Sequence, residues 1–143
     1  MKRLWIFLCA CASFLPLGKA AVSDSAPPIA AQEPQIAEKR NFDAAQTAAL
    51  IRGKPEMLIL DVRTPEEYAA GHVQKALNIN YYDQNFKKDA ARLDRQKSYL
   101  IYCASGNRSS KAREILIQAG ITNLYHLDGG IKAWQKASLP LVK

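Results

Sequence analysis

Cys103 is followed by Ala104-Ser105-Gly106-Asn107-Arg108, a loop of small and polar residues that ends in a permanent cation. The run before it, Tyr99-Leu100-Ile101-Tyr102, is apolar and too short for a helix, and reads as a buried strand. From Ser110 to Ala119 the residues Ala112, Ile115, Leu116 and Ala119 recur at helical spacing, and Gly120 closes the segment. Cys103 is therefore expected where a strand ends and a helix begins. Free backbone N–H groups and the positive end of the helix dipole favour an anion there. A thiol in that field ionises more easily than a free cysteine, whose pKa is about 8.5. Each unit of depression corresponds to about 1.4 kcal/mol of preference for the thiolate. Gly106 lets the loop turn without a Cβ, so that successive N–H groups can point inward as an anion-binding nest. Arg108 adds charge at the rim. The chemistry such a loop suits is nucleophilic attack by a thiolate, with the product anion held in a cup of donors.

The elements that must position this loop can be read in chain order. Asp43 caps a helix with Gln46 three residues on; Ala44, Ala48, Leu50 and Ile51 follow, and Gly53 and Pro55 stop it. Met57 to Val62 is a strand. Thr64-Pro65-Glu66-Glu67 is a capping box with proline at the first helical position, and Gly71 ends that short helix. Ala76 to Tyr81 reads as the next strand, and Asp83 to Arg95 as a short helix plus loop. After the Cys103 strand and its helix, Asn123 to Leu127 is a last strand, and Gly129-Gly130 turns into a helix carrying Trp134. Strands alternating with helices, without a tight hairpin, imply an α/β fold with a central parallel sheet flanked by helices. Ligands bind such sheets outside the carboxyl ends of the strands, where Cys103 and Asp61 both fall.

The N-terminal quarter has a different character. Lys2 and Arg3 precede the apolar run Leu4 to Leu17, and Gly18-Lys19-Ala20 places small residues where a signal peptidase reads. Residues 1–20 are expected to be a signal peptide cleaved after Ala20, which sends the chain to the periplasm. The run is short for a bilayer span and is broken by Pro16, so no membrane span is expected after processing. A lipoprotein reading, with the modified site in Leu8-Cys9-Ala10-Cys11, would require an unusually short signal. Residues 21–35 are rich in Ala, Ser and Pro and read as a flexible leader, with the domain over residues 36–143. Removing the signal lowers the net charge from +7 to +4, with 17 basic residues against 13 acidic. That mild balance suits small anionic substrates, and no basic cluster points to nucleic acid. Cys103 becomes the only cysteine, so no internal disulfide can form.

Three stretches resemble the rhodanese family. Cys103-Ala104-Ser105-Gly106-Asn107-Arg108-Ser109 is similar to its active-site loop. Leu60-Asp61-Val62-Arg63-Thr64-Pro65-Glu66-Glu67-Tyr68 with Gly71-His72-Val73 resembles its N-terminal signature. Asp128-Gly129-Gly130-Ile131-Lys132-Ala133-Trp134 with Leu139-Pro140-Leu141 resembles its C-terminal one. The resemblance implies a rhodanese-like α/β domain and a sulfurtransferase. The Cys103 thiolate would take the outer sulfur of a small anionic donor such as thiosulfate as a persulfide and pass it to cyanide or a thiol. Ala104, Ser105, Gly106, Asn107 and Arg108 would bind the donor, and no cofactor or metal is implied. The family usually has Pro-Gly after its Gly-His-Val motif, where this chain has Gln74-Lys75.

Other residues admit simpler roles. Asp61 is either part of the active-site floor or, as the favoured reading, a structural carboxylate bonding loop N–H groups or an arginine. Glu67 is a capping-box residue. His72 and His126 could each serve as a base, but single histidines are more often structural or exposed, which is the expectation here; in rhodanese-like domains the histidine of the Gly-His-Val motif is not the general base. Arg108 either binds the donor or ties the loop through a carboxylate. Ser105, Asn107 and Ser109 either donate to sulfur or cap the helix. Trp134 is expected in the core. One cysteine and two distant histidines make a poor zinc site, and no glycine-rich phosphate motif is present. Two alternatives to sulfur transfer stand beside it. A cysteine-dependent phosphatase or arsenate reductase shares the cysteine-loop-arginine layout, but the related phosphatase loops are one residue longer than the six from Cys103 to Arg108. A non-catalytic module that carries persulfide or binds a partner is the other.

Overall fold

A computed structural model of the chain describes residues 40–143. The expected signal peptide, the leader and the domain start near Ile36 lie outside the described residues. Five strands are found: β1 (Arg40–Phe42), β2 (Leu58–Asp61), β3 (Ala76–Asn78), β4 (Tyr99–Tyr102) and β5 (Leu124–Leu127). They alternate with α1 (Ala44–Gly53), α2 (Pro65–Ala69), α3 (Phe86–Ala91), α4 (Asn107–Gln118) and α5 (Gly130–Lys136). The strands form one sheet in the order β1-β5-β4-β2-β3, and every neighbouring pair is parallel. This is the expected α/β architecture. β4, which leads into Cys103, is the central strand, and all four of its residues are buried.

Local signals explain most boundaries. Asp43 accepts from the Gln46 N–H at 2.8 Å, and Gln46 returns the bond through its side chain, so α1 begins with a complete capping box. Thr64 and Glu67 do the same for α2, with Pro65 at the first position. α4 ends on Gly120 at φ +92°, where the Ile121 and Gly120 N–H groups return to Leu116 and Ile117 in a Schellman closure.

Three features differ from expectation by more than one residue. β1 has no apolar alternation to announce it; it exists because its backbone pairs with β5, Arg40 opposite Tyr125 through Phe42 opposite Leu127. β3 stops at Asn78 rather than Tyr81, because its sheet neighbour β2 ends at Asp61. Asn78 then caps that end, donating to the carbonyls of Asp61 and Arg63. α4 begins at Asn107, three residues before the apolar pattern starts, so Arg108 and Ser109 belong to its first turn. Gly106, in the left-handed region at φ +99°, makes the abrupt entry possible.

The sheet separates two cores. On one face α1 and α5 pack Ala44, Ala48, Ile131 and Trp134 onto Ile59, Leu100, Tyr102 and Leu127. On the other, α3 and α4 pack Phe86, Ala90, Ala112 and Leu116 onto Leu60, Tyr99, Ile101 and Leu124. Cys103 belongs to the second cluster. Trp134 is core as expected, its Nε1 donating to the Pro140 carbonyl. Among the described residues no helix is long and apolar enough to cross a membrane.

Candidate active site

Cys103 stands at the carboxyl end of β4 with only 1% of its surface exposed. Its Sγ accepts from the Gly106 N–H at 3.1 Å and from the Ser109 hydroxyl at 3.4 Å. Burial pushes the thiol up, but the Ser109 hydroxyl and backbone donors at Ser109, Ser105 and Gly106 outweigh it, leaving the pKa below its ordinary value. A buried sulfur is thus biased toward the thiolate by short-range donors.

The loop is held from outside by α5. The Ile131 and Lys132 N–H groups donate to the carbonyls of Cys103 and Ala104 at 2.8 and 3.2 Å. Gly130 makes this approach possible: at φ +60°, a Cβ there would lie 2.3 Å from the Cys103 carbonyl oxygen. Ser105 and Asn107 are exposed on the rim, Ala104 is half-buried, and Gly106 is buried beneath them.

Arg108 makes a two-pronged contact with Glu67, Nη1 to Oε2 at 2.7 Å and Nη2 to Oε1 at 2.8 Å. Its guanidinium also lies over the Tyr82 ring, 5.5 Å from the centroid. Of the two roles open to Arg108, this geometry supplies the tie to a carboxylate. Glu67 serves two elements at once, because Oε2 also accepts from the Thr64 N–H in the α2 capping box. The fork of Arg108 holds the Glu67 carboxyl down to about 2, against the opposing effect of burial.

Asp61 ends β2, opposite Tyr102 of β4. It is fully buried and engaged by Arg63, whose Nε and Nη2 reach its two oxygens and whose N–H bonds Oδ1. Arg63 also donates to the Gly71 carbonyl, so the pair locks the end of β2 to the end of α2. His72 is structural as well, stacked on Tyr68 at 3.7 Å, with Nδ1 3.1 Å from the Tyr68 carbonyl and its backbone bridged to Val142. The turn after it forms despite Gln74-Lys75: the Ala76 N–H reaches the Val73 carbonyl, and Lys75 takes φ +65°.

His126 is buried and reaches the site through a neighbour. It is 3% exposed, and its Nε2 lies 2.8 Å from Ser109 Oγ, the hydroxyl that reaches Cys103. The alternation Tyr125-His126-Leu127 signals that His126 points to one face of a strand. Which face is decided by the register of β5 on β4, where His126 lies opposite Ile101, two residues before Cys103 and so on the same side.

A strand-end cysteine in a six-residue loop, followed by a helix and clamped by a Gly-Gly turn, defines a class of α/β domain built around a single nucleophilic sulfur. The chain belongs to the rhodanese family: it matches the Rhodanese-like domain over residues 43–137. It is 37% identical to thiosulfate sulfurtransferase 16, chloroplastic, of Arabidopsis thaliana, over 57% of this chain and 76% of that one. It is 31% identical to a sulfurtransferase of Allochromatium vinosum, over 71% and 92% of the two chains. It spans only 55% of the length of an uncharacterised Synechocystis protein that is 33% identical. The crystal structure of a rhodanese-related protein from Thermoplasma volcanium is similar at a TM-score of 0.64 and 34% identity, over 72% of this chain and 97% of that one.

Proposed function

We propose that the protein is an exported sulfurtransferase that moves a sulfane sulfur from a small anionic donor such as thiosulfate to cyanide or a thiol through a Cys103 persulfide. The observation that carries this reading is the cup around Sγ, where donors converge on a buried sulfur and lower its pKa. In the first half-reaction the thiolate attacks the outer sulfur of thiosulfate. The new Sγ–S bond forms as the S–S bond of the donor breaks, and sulfite leaves with the electron pair. The terminal sulfur is left anionic, where the loop N–H groups stabilise it as they stabilised the thiolate. In the second, the acceptor attacks that terminal sulfur and Sγ departs as thiolate. Names of the similar proteins support sulfur transfer as the reaction class.

The phosphatase alternative is disfavoured by Arg108. A tetrahedral oxyanion needs a free planar fork, and here both terminal nitrogens of Arg108 are engaged by Glu67. The decisive experiment exposes the purified protein to thiosulfate alone and measures its intact mass. A gain of one sulfur atom is expected, mapped to Cys103 and removed by cyanide or a small thiol. Cys103→Ser is expected to show no gain and no turnover. Turnover by the serine variant, or Cys103-dependent hydrolysis of an aryl phosphate or reduction of arsenate in parallel assays, overturns the reading.

A further inference from the structure

Ser109 has one hydroxyl proton and three neighbours that could receive it. Sγ of Cys103 lies at 3.4 Å, the Gly106 carbonyl at 3.0 Å and His126 Nε2 at 2.8 Å. The carbonyl and a thiolate can only accept, whereas the imidazole nitrogen either accepts or donates. If Nε2 were bare, the shortest of the three contacts would draw the serine proton to it, and Sγ would lose its side-chain donor. If Nε2 carries a proton it donates to Oγ instead, and the hydroxyl proton turns toward the sulfur side. An anionic Sγ then competes well for it, because charge-assisted bonds are about twice as strong as neutral ones. The Gly106 carbonyl is a weaker competitor, since it already accepts the Ser110 N–H at 2.9 Å. His126 is 3% exposed, so bulk water is not at hand to replace it as donor to Ser109.

We infer that His126 is a positioning residue of the sulfur-transfer site, holding a proton on Nε2 so that Ser109 aims its hydroxyl at the Cys103 sulfur. The inference rests on the sulfurtransferase reading for its catalytic consequence. That consequence falls mainly on the second half-reaction. There Sγ is the leaving group, RSS⁻ and cyanide giving RS⁻ and thiocyanate, and the Ser109 hydroxyl meets the charge that develops on Sγ. No proton is transferred; the chain only fixes the direction of one hydrogen bond.

Three measurements test it. In the parent protein, long-range proton–nitrogen NMR correlations of the histidines are expected to show His126 Nε2 protonated at neutral pH. A bare Nε2 overturns the inference without any variant. In single-turnover discharge of the persulfide by cyanide, Ser109→Ala and His126→Leu are each expected to be slower by about tenfold, the loss of one such hydrogen bond. The double variant is expected to be no slower than Ser109→Ala, because the inferred role of His126 runs through that hydroxyl. Losses that multiply to about a hundredfold would show that His126 acts elsewhere. His126→Gln, whose amide nitrogen can occupy the place of Nε2, is expected to recover most of the rate. A glutamine variant slower than the parent by the full tenfold counts against the idea, and its rate together with the NMR result decides the matter if His126→Leu does not fold. Should the parent take up no sulfur from thiosulfate, the sulfurtransferase reading falls, while the protonation of Nε2 still judges the hydrogen-bond chain.

Discussion

Arg108 and Glu67 stand 41 residues apart in sequence and meet through two hydrogen bonds, so the active-site loop is tied to the start of α2. The Glu67 carboxyl is held down to about 2 by Arg108. A carboxyl depressed in the folded state contributes stability that is complete above its ordinary value of 4.5 and is lost as the pH falls through about 2. Its side chain is 36% exposed, so the pair contributes no more than about 1 kcal/mol. Acid unfolding of the parent and Glu67→Gln is therefore expected to differ at neutral pH and to converge near pH 2. A difference that persists at pH 2 would place the Glu67 effect elsewhere. Arg108→Lys keeps the charge but loses the planar fork. We expect a fall in kcat/KM for thiosulfate of about fivefold, matching about 1 kcal/mol, with the fold intact. Kinetics equal to the parent would show that the fork is not needed. Glu67 carries a capping signal legible in sequence, but its second partner is not local, and no spacing rule could reveal it.

Two short turns show how elements place the loop. Lys75 takes φ +65° in the turn between α2 and β3, a conformation that costs a residue with a Cβ about 1–2 kcal/mol. The rhodanese resemblance expects glycine there, and the structure explains why. Lys75→Gly relieves the strain while adding freedom to the unfolded chain, so a net gain of up to about 1 kcal/mol is expected. In thermal unfolding that is a rise of about 4–8 °C; a lower midpoint would contradict the strain argument. Gly130 is the opposite case, since an added Cβ would meet the Cys103 carbonyl at 2.3 Å. Gly130→Ala is expected to cost about 2 kcal/mol or more and to raise the thiol pKa by displacing the donors around Sγ. Gly53→Ala serves as a control: nothing lies within 4 Å of its added Cβ, and the change should be neutral or mildly stabilising. Absorbance of the thiolate against pH and denaturant midpoints for the two variants separate the outcomes.

At the scale of the molecule, the strand order puts β4 between β5 and β2, so Cys103 emerges at the centre of the sheet's carboxyl edge. Helices cover both faces, and ligands of such sheets bind outside the carboxyl ends of the strands. If the proposed export removes Cys9 and Cys11, Cys103 is left as a lone thiol, and no internal disulfide can trap the persulfide in an oxidising compartment. The proposed export carries its own test. N-terminal sequencing of protein from a periplasmic extract is expected to begin at Ala21. A lipid on Cys11 would replace the secreted reading with an anchored one.

The sequence by itself determined the alternation of strands and helices, both capping boxes, the Cys103 loop and its glycine, because each depends on residues within a few positions of one another. It also carried Asp61 as a structural carboxylate, since Arg63 lies only two residues away. Tertiary structure alone decided what distant segments do to each other. β1 was illegible because a three-residue edge strand is defined by its partner, not by its own pattern. Arg108 received its carboxylate only when α2 and α4 met. His126 read as one more histidine on a strand until the β4–β5 register and the packing of α4 brought Ser109 between its ring and the thiolate. Alternation marks the two faces of a strand, but only sheet register and helix packing choose which face meets the site.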